Sequence, residues 1–180
     1  MPRSLMVWNL DTWTLRFIYS ALGQGLVFVA LTMVLFVYGS ISVVPAPAQV
    51  IAFGSAGTWI LAGYLSYLIM IIYLGVTALF YYYIGKVDNG FRGSANVSAW
   101  VHFILVNIGI TGACLLLVYA GYIGGAGLMP TAVGGHGLTD IQVHEQLIGM
   151  YPYLIIPFVI SAVVGALFGG LSYLLALRKR

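Results

Sequence analysis

The side chains in this 180-residue sequence that could do chemistry fall in two places. The first is the apolar run 97–125, which holds His102, Asn107, Thr111 and the single cysteine, Cys114. Polar and ionisable groups inside a hydrocarbon run are expensive, so each one marks an interhelical bond or a site. At 3.6 residues per helical turn, His102 shares a face with Gly109, Ala113 and Ala120, while Asn107, Thr111 and Cys114 lie almost opposite. A histidine above a glycine is a geometry that a haem could use, because glycine leaves room for the macrocycle. Two histidines at one depth usually hold a membrane haem, and no span offers a second. His102 is therefore expected to make an interhelix hydrogen bond. As a haem-b ligand it would need a partner's histidine.

The second place is the stretch with His136, Asp140, His144 and Glu145. Zinc and copper accept imidazole and carboxylate, and Asp140 and His144 stand four apart, on one face of a short helix. The spacing matches no metal motif, so a solvated, partner-facing loop is expected, with a proton-collecting surface as second option. No P-loop, HExxH or Ser/His/Asp arrangement occurs, and no catalytic or metal site is expected. No candidate span carries an acidic residue, which argues against a proton-coupled transporter with a buried carboxylate.

The elements that must position these groups follow from composition. The chain is 62% hydrophobic and 6% charged, against roughly 25% charged in soluble domains. Such a chain cannot cover a water-facing surface, and its net charge of +3 is no nucleic-acid footprint. It reads as an all-α integral membrane bundle, a single membrane domain over 1–180. A lone cysteine excludes an internal disulfide, and Cys114 reads as a small hydrophobe. No secretory leader is expected in 1–16.

Four apolar runs are about long enough to cross a core of roughly 30 Å: 17–38, 58–84, 97–125 and 152–177. The arm 1–15, with Trp8 and Trp13, reads as an interfacial lead-in, with Asp11 or Thr12 capping the first span. Pro45 and Pro47 break the apolar connector 39–56, which is expected at the interface or against a partner. In the connector 126–150, a short helix over 139–149 is expected, capped by Thr139 or Asp140. Tyr81-Tyr82-Tyr83 reads as an aromatic belt. Tyr64 and Tyr67 lie deeper, need hydroxyl partners and could contact lipid or quinone. Ala21 and Gly25, and Ser161, Gly165 and Gly169, form small-residue stripes that admit close helix contact. Gly109 and Ala113 do the same on the third span.

With four spans, all seven Lys and Arg residues fall on one side. The positive-inside rule makes that side, with both termini, cytoplasmic. The expected location is the plasma membrane, multi-pass. The Asn96-Val97-Ser98 sequon is then on the wrong side for glycosylation.

The stretch Ala99-Trp100-Val101-His102-Phe103-Ile104-Leu105-Val106-Asn107-Ile108-Gly109 resembles the start of the penultimate helix of haem–copper oxidase subunit I. Gly127-Leu128-Met129-Pro130 is similar to the Gly-Met-Pro that opens that family's next external loop. Thr131-Ala132 stands where many members carry an arginine pair. The similarity spans 97–180. Gly63-Tyr64-Leu65-Ser66-Tyr67 and Ala78-Leu79-Phe80-Tyr81-Tyr82-Tyr83 resemble small hydrophobic polypeptides of archaeal terminal oxidases. The resemblance implies a non-catalytic accessory subunit of a respiratory membrane complex, with haem and copper in the partner catalytic subunit and none in this chain. Its partners would be other membrane subunits, lipids and quinone, with no nucleic acid. The stripes at Ser161/Gly165/Gly169 and Ala21/Gly25 would then pack on the catalytic subunit. A haem-b anchor using His102 and a small oligomeric transporter or channel are the alternatives.

Overall fold

A computed structural model describes residues 12–87 and 91–178 of the chain. Among the described residues, four helices are long and apolar enough to cross a membrane: α1 (Thr12–Ser42), α3 (Thr58–Val87), α4 (Ser94–Leu128) and α6 (Tyr151–Leu177). Between them lie the short α2 (Pro47–Phe53) and α5 (Asp140–Val143), and α5 runs on as a π-helical turn, His144–Ile148. No strand occurs among the described residues. The chain is a multi-pass membrane helix bundle in which α3 and α4 form the inside. In their most apolar windows 33% of residues are buried, against 11% in α1 and α6.

Every span is longer than its apolar run suggested. α4 has 35 residues, and at 1.5 Å each it exceeds a hydrocarbon core of roughly 30 Å, so it tilts or projects. The extra turns form because their polar residues find partners. The described part of the arm, from Thr12, already belongs to α1. Trp13 is buried, not interfacial, because its Nε1 donates to Asn96 Oδ1 at 2.9 Å and its ring meets Trp100 edge-on at 5.1 Å. The Arg16 guanidinium sits 4.4 Å from the Trp13 ring and 4.3 Å from Trp100, a favourable cation–π arrangement. Arg3 and the expected cap Asp11 lie outside the described residues.

Small residues let the inner helices touch. On α4, a Cβ at Gly109 would lie 2.5 Å from the Ala162 nitrogen, and one at Gly112 would lie 2.3 Å from the Phe158 ring. On α6, a Cβ at Gly165 would lie 2.8 Å from Val106. Ser161 Oγ donates to Leu105 O at 3.2 Å, and Ser98 Oγ donates to Phe168 O at 3.0 Å. The stripe Ser161/Gly165/Gly169 is therefore occupied by α4 of this chain, not by a partner subunit. Ala113 on α4 is buried as well. On α1, Ala21 packs against the core, whereas a Cβ at Gly25 would meet nothing within 4 Å.

The proline-broken connector also differs from expectation. Pro47 opens α2 instead of excluding it, since proline at a helix's first turn loses no hydrogen bond. Val50 is then fully enclosed, with Gly125 giving it room: a Cβ there would lie 2.4 Å from Val50 Cγ1. The connector thus packs on α4 of its own chain. Thr139 caps α5 as expected, its Oγ1 accepting from Gln142 N at 3.3 Å while Gln142 Oε1 accepts from Thr139 N at 3.0 Å, a capping box.

Candidate functional site

His102 sits two turns inside α4 and is 1% exposed. Two tyrosines of α3 clasp its ring. Tyr73 OH lies 2.8 Å from Nε2, and Tyr81 OH lies 3.2 Å from Nδ1. Tyr81 OH is also 3.0 Å from Ser172 Oγ of α6, and that hydroxyl donates to Gly169 O at 2.8 Å. Phe17 of α1 closes the other side, 4.9 Å from Tyr81 and 5.1 Å from His102 between ring centres. Tyr73, Thr77 and Tyr81 recur every four residues, which puts them along one side of α3.

The bonds tie three helices to one ring: His102 of α4, Tyr73 and Tyr81 of α3, and Ser172 of α6. A neutral imidazole carries one N–H and one lone pair, so one of the two tyrosines donates to His102 and the other accepts from it. The series ends on Gly169 O, a backbone carbonyl, which cannot pass a proton on, so it orients groups and does not conduct.

Beside this network is a cavity of about 140 Å³ between α3 and α6, bordered by Tyr73, Thr77, His102, Gly169 and Tyr173. Val76, Phe80, Ala166 and Gly170 also border it and are exposed on the outer face of the spans. The mouth therefore opens sideways, toward lipid.

The surroundings of His102 do not fit a haem. Both ring nitrogens are engaged by tyrosine hydroxyls, and a Cβ on Gly169 would lie 2.6 Å from the ring. The adjoining cavity is far smaller than a porphyrin. Gly109, expected to leave room for such a ring, instead admits α6.

The opposite face of α4 carries a second polar cluster. Tyr67 OH donates to Gln24 Oε1, Ser20 Oγ and Gln24 Nε2 both donate to Asn107 Oδ1, and Asn107 Nδ2 donates to Phe103 O. Tyr64 OH pairs with Thr32 Oγ1 at 3.0 Å, and Thr111 Oγ1 lies 3.8 Å from Met70 Sδ. Tyr67 is 0% exposed, so the lipid or quinone contact expected there has no surface to use. Cys114 is buried and free.

Outside the spans, Asp140 and His144 border one hollow with Trp59, and Ser55 Oγ donates to Asp140 Oδ1 at 3.2 Å. His136 and Glu145 do not join them. Among the described residues no group of three or more His, Cys, Asp or Glu could hold a metal.

Sequence reasoning found His102 but missed Tyr73, Tyr81 and Ser172. The tyrosine trio does not form one belt, because successive helix residues point about 100° apart. Tyr81 is fully buried, Tyr83 is 66% exposed, and Tyr82 carries the Lys86 ammonium 4.3 Å over its ring. The signal available was the four-residue recurrence of Tyr73, Thr77 and Tyr81. No family model, curated protein or solved structure matches this chain.

Proposed function

We propose that this chain is a non-catalytic accessory subunit of a membrane respiratory complex, of the haem–copper quinol or cytochrome oxidase kind. One observation carries most of the reading. Gln24, Tyr67 and Asn107, Thr32 and Tyr64, and Tyr73, Tyr81 and His102 bond to one another within the chain, and no acidic residue lies in any described span. A transporter or a redox centre would leave some of these groups turned toward a pathway or a ligand. Here they lock helices together. The kind of complex rests on the likeness of residues 99–109 and 127–130 to oxidase subunit I, and haem and copper belong to the partner in this reading.

The subunit lies in the plasma membrane with both ends and the α3–α4 turn cytoplasmic. All seven basic residues then face the cytoplasm, and the two long connectors carry none. Its contact with the catalytic subunit uses α1, whose outer face exposes Leu22, Leu26, Val29 and Met33 around the open position Gly25.

Gentle extraction of the tagged full chain from native membranes tests this reading. Co-purification with a haem-bearing oxidase subunit, lost in Gly25→Leu, is the expected result. Recovery of the chain alone and colourless under conditions that keep other respiratory complexes intact overturns it.

A further inference from the structure

We infer that Arg16, at the basic end of the seam between α1 and α4, binds the phosphate of an anionic membrane lipid. The guanidinium lies 4.4 Å from the centre of the Trp13 ring and 4.3 Å from that of Trp100. Those contacts hold the charge in place and take none of its hydrogen bonds. No N–H of Arg16 meets an acceptor among the described residues, and the side chain is only half-buried. A fixed, planar fork of donors matches two oxygens of a phosphate.

Depth and charge point to a lipid head group. The 35 residues of α4 measure about 52 Å, against about 40–45 Å for a bilayer with its head groups. Trp100 stands six residues from the start of α4, about 9 Å in. With the excess length shared between the two ends, Trp100 and the guanidinium beside it lie in the head-group layer. The chain itself supplies positive charge there. Lys86, Arg92 and Arg178 share the end of the spans with Arg16, while the described acidic residues, Asp140 and Glu145, lie at the other end.

The surface around Arg16 is open to lipid. Tyr19 of α1 and Val97, Trp100 and Ile104 of α4 are exposed. Farther along the seam a Cβ at Gly23 would meet nothing within 4 Å, and Val27 and Ile108 are exposed. A hydrocarbon chain can lie there while its phosphate sits on Arg16. Leu22, Leu26, Val29 and Met33, the face given to the partner subunit, stand roughly 80–140° around α1 from Arg16, so lipid and partner do not compete. The inference rests on the membrane setting of the proposed function, not on the identity of the complex.

The test is native mass spectrometry of the full chain, delipidated in detergent and titrated with dioleoylphosphatidylglycerol or dioleoylglycerol. The first phosphatidylglycerol binds about ten- to a hundredfold tighter than the diacylglycerol, the range for hydrogen bonds to a charged group. Equimolar inorganic phosphate does not displace it. Arg16→Gln lowers the phosphatidylglycerol to the diacylglycerol level, and Arg16→Lys, which keeps the charge without the fork, falls between. Arg178→Gln, at the same end of the bundle on α6, leaves the affinity unchanged. If Arg16→Gln fails to fold, Trp100→Ala, at an exposed position, decides by a loss of about two- to fivefold. In native membranes, benzoylphenylalanine in place of Ile104 cross-links a phospholipid. Equal affinity for the two lipids, a preference that survives Arg16→Gln or falls equally in Arg178→Gln, displacement by phosphate, or a cross-link to another polypeptide overturns the inference. Any of these sinks this inference alone, because the subunit reading stands on co-purifying chains.

Discussion

Gly169 and Gly170 are neighbours on α6, and alanine should affect them in opposite directions. At Gly169 a new Cβ would lie 2.6 Å from both Cε1 and Nδ1 of His102 and 3.0 Å from Cγ. Ordinary contact between such atoms is about 3.5–4.0 Å, so the ring must retreat by roughly 1 Å. It cannot do so and keep Tyr73 at 2.8 Å and Tyr81 at 3.2 Å. Overpacking costs about 1–3 kcal/mol, and two membrane hydrogen bonds add about 0.6 kcal/mol each. Alanine returns about 1 kcal/mol through helix propensity. The net loss at Gly169 is about 1–3 kcal/mol. At Gly170 the Cβ meets nothing within 4 Å, so only the propensity gain of about 0.5–1 kcal/mol remains. Equilibrium unfolding of the purified chain by dodecyl sulfate, followed by circular dichroism, measures both. Equal shifts, or a Gly169→Ala chain as stable as Gly170→Ala, would refute the packing of α6 against His102.

Three further outcomes are expected. Tyr81→Phe breaks the bonds to His102 and Ser172 and destabilises the bundle by about 1 kcal/mol in the same titration; a double-mutant cycle with Ser172→Ala should show coupling, and strict additivity contradicts the bond. Thr139→Ala removes the α5 cap, at a local cost of about 0.5–2 kcal/mol, so amide exchange speeds up across residues 140–148 and stays unchanged in α4. Ile141→Cys, at an exposed position of α5, reacts with an impermeant maleimide added outside intact cells, while buried Cys114 reacts only after denaturation; labelling of Ile141→Cys only in opened cells reverses the proposed orientation.

The four spans were legible because about twenty apolar residues can do little else but cross a bilayer. Their ends were not. Trp13 and Asn96 look interfacial one at a time and become helical and buried only as a pair 83 residues apart. The small stripe on α6 was legible as a place of close approach. Which helix approaches is a tertiary fact, and α4 takes the place that a partner was expected to fill. α2 was hidden because Pro47 signals a break as readily as a start. His102 stood out as a histidine in hydrocarbon. Its partners did not, because tyrosine is common in membrane helices and only register brings Tyr73, Tyr81 and Ser172 to one ring. The polar group at Asp140 and His144 was legible as one face, while His136 lies in the loop before α5 and Glu145, next to His144 on the helical turn, does not border the same hollow.

The central claim is that this chain is an accessory subunit and that the haem of its complex belongs to the partner. Native mass spectrometry of the digitonin-extracted, tagged assembly tests both parts at once. The account predicts an assembly containing a haem-bearing oxidase chain, from which this 19.4 kDa chain is released without haem. Release of this chain with haem bound, or its appearance only as a solitary monomer, would contradict it.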